Sequence, residues 1–259
     1  MKIKKRLLFA FILTGLIIFI SCSSNNNPTT PNNNNKVNFS SLAYLNYWIN
    51  NNYNIDTLGQ QTGTITVDST VVTDSTIKAG HKAYVLTVYN MNKMPTDTQY
   101  VYEDSVRYYT HSHFFNSIVA KKLAGYPNPF DIGDRWIKLA DYDSTSWNIF
   151  SDSLKDFNVY QNITVTGLLT LKGSKGAAKT ATIGTNSLTL QEFLLTFEFN
   201  GYVSMFPNSP NNFKIVIHTW FDKKTGLVLT TFDNATFYFA GAGIPFQGTE
   251  KKCISYSVK

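Results

Sequence analysis

Cysteine is nearly absent: Cys22 and Cys253 are the two in 259 residues. That rules out a framework of disulfides, so stability must come from packing even in an oxidising compartment. Long apolar runs are also missing. The longest, Leu7–Ile20, is 14 residues, short of the roughly 20 that a bilayer-spanning helix needs. Charge is scarce as well, at 15% of residues, and most of the net +6 sits at the start of the chain. Beyond residue 21 there remain 19 Lys/Arg against 17 Asp/Glu. The clustered basic footprint of a nucleic-acid binder is therefore lacking. No Gly-x-Ser-x-Gly elbow, phosphate-cradling glycine loop or dinucleotide fingerprint occurs, which points away from an enzyme and leaves no cofactor to expect.

What is present at the start is an address. Lys2, Lys4, Lys5 and Arg6 precede the apolar run, and Ser21-Cys22 and a polar stretch follow it. Basic, apolar and small residues in that order make a secretory signal. Phe19-Ile20-Ser21-Cys22 resembles the lipobox of bacterial lipoproteins, with Phe19 where the family usually carries Leu. The resemblance implies that Cys22 is diacylated, becomes the first residue and ties the chain to a membrane. Ser23 rather than an acidic residue follows, which by the sorting rule known for enteric bacteria implies the outer membrane of the cell envelope. Residues 22–36 then hold the lipidated cysteine and an Asn/Pro/Ser/Thr-rich tether, too poor in apolar side chains to offset the entropy of ordering it. The expected organisation is a signal peptide over 1–21, this tether over 22–36 and one domain over 37–259.

The domain reads as all-β with one short N-terminal helix. Ser40 or Ser41 can cap that helix, and Leu42, Leu45, Trp48 and Ile49 fall at helical spacing before Asn50-Asn51-Asn52. Period-two alternation then takes over. Thr62–Thr73 alternates Ile65, Val67 and Val71 with Thr and Asp, and Lys82–Asn90 follows as a strand. Gln99–Tyr102 and Val106–His111 flank a hairpin turn at Glu103-Asp104-Ser105. Pro127 and Pro129 mark a loop over Gly125–Gly133, and Arg135–Leu139 and Trp147–Phe150 are short strands. Longer strands follow over Val159–Leu171, Ala177–Ile183, Phe193–Phe199, Phe213–Asp222, Leu227–Phe232, Thr236–Ala240 and Cys253–Val258, with Gly173-Ser174-Lys175-Gly176 read as a β turn. Serial short strands separated by turn signals predict an antiparallel curved sheet, a half-barrel or a sandwich.

The segment Trp220-Phe221-Asp222-Lys223-Lys224-Thr225-Gly226-Leu227-Val228-Leu229 is similar to a hairpin in LolA/LolB-like periplasmic carriers, a resemblance that covers about ten residues. It implies a curved sheet closed by helices over a greasy concavity. Phe213–Phe221 carries apolar residues on both faces, which require two covers. An acyl chain or other apolar ligand is one such cover, with Phe193, Phe197, Trp220 and Tyr238 as the expected lining. The competing reading is an interaction module whose exposed aromatics contact saccharide or another envelope protein.

Other polar groups are weighed as structural. His111 and His113 would share a face of a strand and could begin a metal site, with Asp104 and His81 as distant candidates, but two ligands are too few. Asp131, Asp134, Asp141 and Asp143 lack the spacing of a calcium loop and read as solvated carboxylates. No metal site is expected.

Overall fold

The computed structural model describes residues 39–116, 131–160, 163–239 and 242–259. The leader, Cys22, the tether and the loop around Pro127 lie outside the described residues. Lys36–Lys259 forms a compact unit. The core and every strand ladder described below lie within it, the condition under which a span folds independently.

Among the described residues, fourteen strands form this unit: β1 Tyr47–Ile55, β2 Gln61–Lys78, β3 His81–Asn90, β4 Pro95–Glu103, β5 Arg107–His111, β6 Trp136–Asp141 and β7 Ser146–Tyr160 in the first half. In the second half are β8 Ile163–Ile183, β9 Asn186–Val203, β10 Phe206–Asp222, β11 Gly226–Phe232, β12 Ala235–Phe239, β13 Ala242–Phe246 and β14 Thr249–Ser257. Twelve make one antiparallel sheet in the order β6-β5-β4-β3-β2-β1-β14-β11-β10-β9-β8-β7, and β12 and β13 pair as a separate hairpin.

The order contains its own proof of curvature. β6 and β7 are the two edges, yet only residues 142–145 join them. Four residues reach at most about 14 Å, so twelve strands must curl until their edges nearly meet. Repeated bulges, such as those at Ile49/Asn50, Val72/Asp74, Tyr108/Tyr109 and Trp220/Phe221, supply bends along the way, since each raises local twist. Side chains join the seam. The Trp147 indole N–H donates to the Lys138 carbonyl at 3.1 Å, and Arg135 meets Asp152 at 2.8 Å. The result is a single curled sheet nearly closed into a barrel.

Asp141 anchors the same corner. Its buried carboxylate accepts from Lys138 at 2.6 Å and Ser144 Oγ at 3.0 Å, and it lies 3.4 Å from the Arg107 guanidinium. Burial pushes its pKa up, but Lys138, Ser144 and the Asp143 N–H outweigh that and hold the group below the ordinary carboxylate range. Of the four carboxylates expected to be solvated, Asp141 is thus a buried structural acid.

Three expected elements differ. The span Val159–Leu171, expected as one strand, contains the end of β7 at Tyr160 and the start of β8 at Ile163. No helix forms over Ser40–Ile49: Leu45 turns with φ of 68° and is exposed, and the strand β1 begins at Tyr47. A short segment gains little from isolated helical turns, whereas β1 pairs with both β2 and β14. Trp48 also donates to the Thr225 carbonyl at 2.7 Å. Gly173–Gly176 is not a turn either. It runs within β8, where Gly173 sits opposite both Trp147 and Leu195. Its missing side chain makes room for the Trp147 ring, against which any added Cβ would overlap.

The interior has two unlike halves. Under β6–β10 it is filled. Phe193, Leu195, Phe197 and Phe199 of β9 and Phe213, Ile215, Ile217 and Phe221 of β10 all point inward. Phe39 plugs one end, its ring meeting Tyr108, Tyr142 and Phe221 at 5.9, 5.4 and 6.0 Å. Glu103 fixes this plug by accepting from Ser41 Oγ at 2.8 Å and the Leu42 N–H at 3.0 Å. A void in this half measures about 10 Å³, too little to hold more than a water. Under β1–β4, β11 and β14 the interior is open.

Candidate functional site

The open half is a cavity of about 550 Å³. Trp48, Leu86, Val101, Tyr108 and Leu139 form its apolar depth. Burial falls off toward the mouth on β2, from Thr70 and Asp68 to exposed Thr66 and Thr64, and on β4, from Val101 through Asp97 to exposed Thr96. The cavity therefore opens at the end of the barrel away from the Phe39 plug.

Its wall nearer the mouth is polar, and strand register explains how. Thr230 of β11 faces Lys251 of β14, Lys251 faces Asn52 of β1, and Asn52 faces Thr66 of β2. In the next row Asn50 pairs with Asp68. Because side chains alternate between faces, these residues form a belt on the inner surface. Asp68 is its hub. Asn50 Nδ2 and Asn52 Nδ2 donate to its two oxygens, each at 2.9 Å. Lys251 Nζ donates to it at 2.9 Å and to Thr70 Oγ1 at 3.4 Å. Beside the belt, the Tyr53 hydroxyl donates to Glu250. Burial, followed by that bond and the Glu250 charge, drives the Tyr53 pKa far upward, so the phenol stays protonated.

Of the expected lining residues, Phe193, Phe197 and Trp220 are not brought together. Phe193 and Phe197 are fully buried in the filled half, Phe193 against Tyr142 at 5.0 Å and Phe197 against Phe115 at 4.7 Å. Trp220 lies on the opposite face of β10, capped by Lys179 Nζ at 3.6 Å from its ring. Tyr238 belongs to β12, and its side chain lies outside the described residues. Phe193, Phe197 and Trp220 do not line the cavity. On the inner side of β10 the cover is the protein's own aromatic core.

The remaining candidates have structural partners. His111 ends β5, and His113 lies in a helical segment over 112–116, so the two do not share a strand face. His111 Nδ1 accepts from the His113 backbone N–H at 3.3 Å, which leaves the proton on Nε2, 2.7 Å from Asp134. The ring is buried, and burial and then Lys78 lower its pKa. His81 stacks on Tyr102 at 4.6 Å, and Tyr102 on Tyr109 at 4.3 Å. His218 sits between Glu192 at 2.7 Å and Asp233 at 3.3 Å. Among the described residues no group of three or more His, Cys, Asp or Glu is placed to hold a metal ion, and no helix is long and apolar enough to cross a membrane.

The belt was missed in the sequence because its members are distant along the chain and meet only through register. A signal for it exists. Thr66, Asp68 and Thr70 share one face of β2, and Asn50 and Asn52 share one face of the neighbouring strand.

No family model matches the chain, and no curated protein matches it. Among solved structures it is similar to a candidate lipoprotein from Parabacteroides distasonis, at 11% identity and a TM-score of 0.42, over 85% of this chain and 99% of that one. It is also similar to a candidate exported protein with a YmcC-like fold from Bacteroides fragilis, at 8% identity and a TM-score of 0.38, again over 85% and 99% of the two chains.

Proposed function

We propose that the protein is exported, lipidated at Cys22 and held at the outer membrane, where its barrel binds a small ligand with an apolar part and catalyses no reaction on it. The leader and Ser21-Cys22 support the anchoring. One acyl chain gives only marginal attachment, and each buried methylene adds about 0.8 kcal/mol, so two chains on one residue suffice for a stable anchor. The observation that carries the binding role is the 550 Å³ cavity. It falls within the roughly 300–1,000 Å³ of small-molecule sites and pairs an apolar depth with a few convergent polar groups, as such sites do.

Two measurements test this reading. Metabolic labelling with a palmitate analogue should mark the wild type and not Cys22→Ala. Native mass spectrometry of the chain starting at Ser23 should show a noncovalent adduct that organic solvent extracts. Equal labelling of both proteins would overturn the anchor, and a barrel that never carries or takes up an amphiphile would overturn the binding role.

A further inference from the structure

The cavity wall also states which head group it accepts. Its lining includes seven threonines, three asparagines and one glutamine, all of them neutral. Its inward-facing charged groups are Asp68, Asp97 and Lys251, a formal excess of one negative charge; the Glu250 carboxylate shares the other face of the strands with Thr231, from which it accepts at 3.3 Å. The cation among the described lining residues is already engaged: Lys251 Nζ lies 2.9 Å from Asp68 Oδ2 and also donates to Thr70. At such a distance each charge largely cancels the other for anything arriving from outside. An anionic head group would therefore meet Asp97 with no free cation among the described lining residues to compensate it. A hydroxyl or amide would meet groups that both donate and accept.

Resting on the binding role proposed above, we propose that the cavity selects an uncharged amphiphile, one with an apolar arm and a hydroxyl- or amide-bearing head, and discriminates against carboxylate and phosphate amphiphiles. Asp68 sets this selectivity by holding Lys251. The amide hydrogens of Asn50 and Asn52 are likewise directed at Asp68, which fixes the belt before a ligand arrives and reduces the cost of ordering it.

The test is calorimetric titration of the chain starting at Ser23 with octyl glucoside, octanoate and octyl phosphate, each below its micelle concentration, at neutral pH. Octyl glucoside should bind at least tenfold more tightly than either anion. Asp68→Asn, checked for folding by circular dichroism, should release Lys251 and improve octanoate binding at least threefold. Octanoate or octyl phosphate binding as tightly as the glucoside to the wild-type protein would overturn the selectivity while leaving the binding role intact. Failure of all three to bind would overturn the binding role and the selectivity with it. If Asp68→Asn does not fold, the wild-type comparison alone decides.

Discussion

Substituting Gly173 by alanine probes the closure of the barrel. Gly173 lies mid-strand in β8, and its absent side chain is occupied by the indole of Trp147. That indole is buried, donates to the Lys138 carbonyl at 3.1 Å across the β6/β7 seam and carries Lys138 Nζ 5.3 Å above its ring. A methyl group at position 173 must displace the ring, because backbone on both neighbouring strands prevents β8 from giving way. Overpacking of this kind costs about 1–3 kcal/mol, and a buried indole N–H that loses its acceptor adds about 1–3 kcal/mol. A loss of about 3 kcal/mol is expected, or roughly 6–12 °C in Tm for a domain of this size. Urea unfolding followed by near-ultraviolet circular dichroism reads it, with Gly59→Ala as the control. Gly59 has φ of 74° and open space around it, so its cost is backbone strain alone, about 1–2 kcal/mol. Trp147→Leu should be destabilising by itself, yet the double variant should be more stable than the sum of the singles by at least about 1 kcal/mol, the signature of contact. A Gly173→Ala protein within about 0.5 kcal/mol of wild type, or full additivity, would refute the seam as described.

Three further outcomes are expected. Burial holds the Glu103 carboxyl above its ordinary pKa, outweighing its bonds to Leu42 and Ser41. Its contribution is therefore fully present below the unfolded value and is lost as pH rises through the native one; Glu103→Gln lacks that loss. The variant should gain stability relative to wild type between pH 4 and pH 8 in urea titrations, and a constant difference would contradict the assignment. Phe39→Ala should cost about 3–5 kcal/mol, because this residue is part of the core rather than of the tether; thermal unfolding unchanged within 2 °C would refute the plug. Burial pushes the Cys253 thiol up to about 11, so in the chain starting at Ser23 iodoacetamide at pH 8 should modify it only after denaturant is added. Rapid labelling of the folded protein would show that β14 opens locally.

Local chemistry made some of this structure legible in the sequence. The β10–β11 turn announces itself because Asp222 accepts from the backbone N–H groups of Lys224 and Thr225 at 3.0 and 2.8 Å, an interaction contained within four residues. The alternation of β9 and β10 was equally plain. What required distant partners was not. β1 resembles a helix until β14, some 200 residues later, pairs with it. β2 shows where period fails to give orientation. Ile65 is exposed, while Asp68 and Thr70 turn inward, because this part of the barrel encloses a polar-walled cavity. Phe193 and Phe197, expected to line a ligand site, pack in the filled half, because aromatic size marks core as readily as a binding site. The residues that distinguish the site, Asn50, Asn52 and Lys251, look like ordinary surface residues until register gathers them around Asp68.

Filling the cavity while leaving the barrel intact tests the central claim most directly. Val88 is 5% exposed and lines the open half, so Val88→Trp places an indole where the ligand's apolar part would lie. Native mass spectrometry of both proteins, purified identically from cells, should find a small-molecule adduct on the wild type and none on the folded variant. Equal adducts on both, or no adduct on the wild type even after incubation with octyl glucoside, would contradict a ligand-binding barrel.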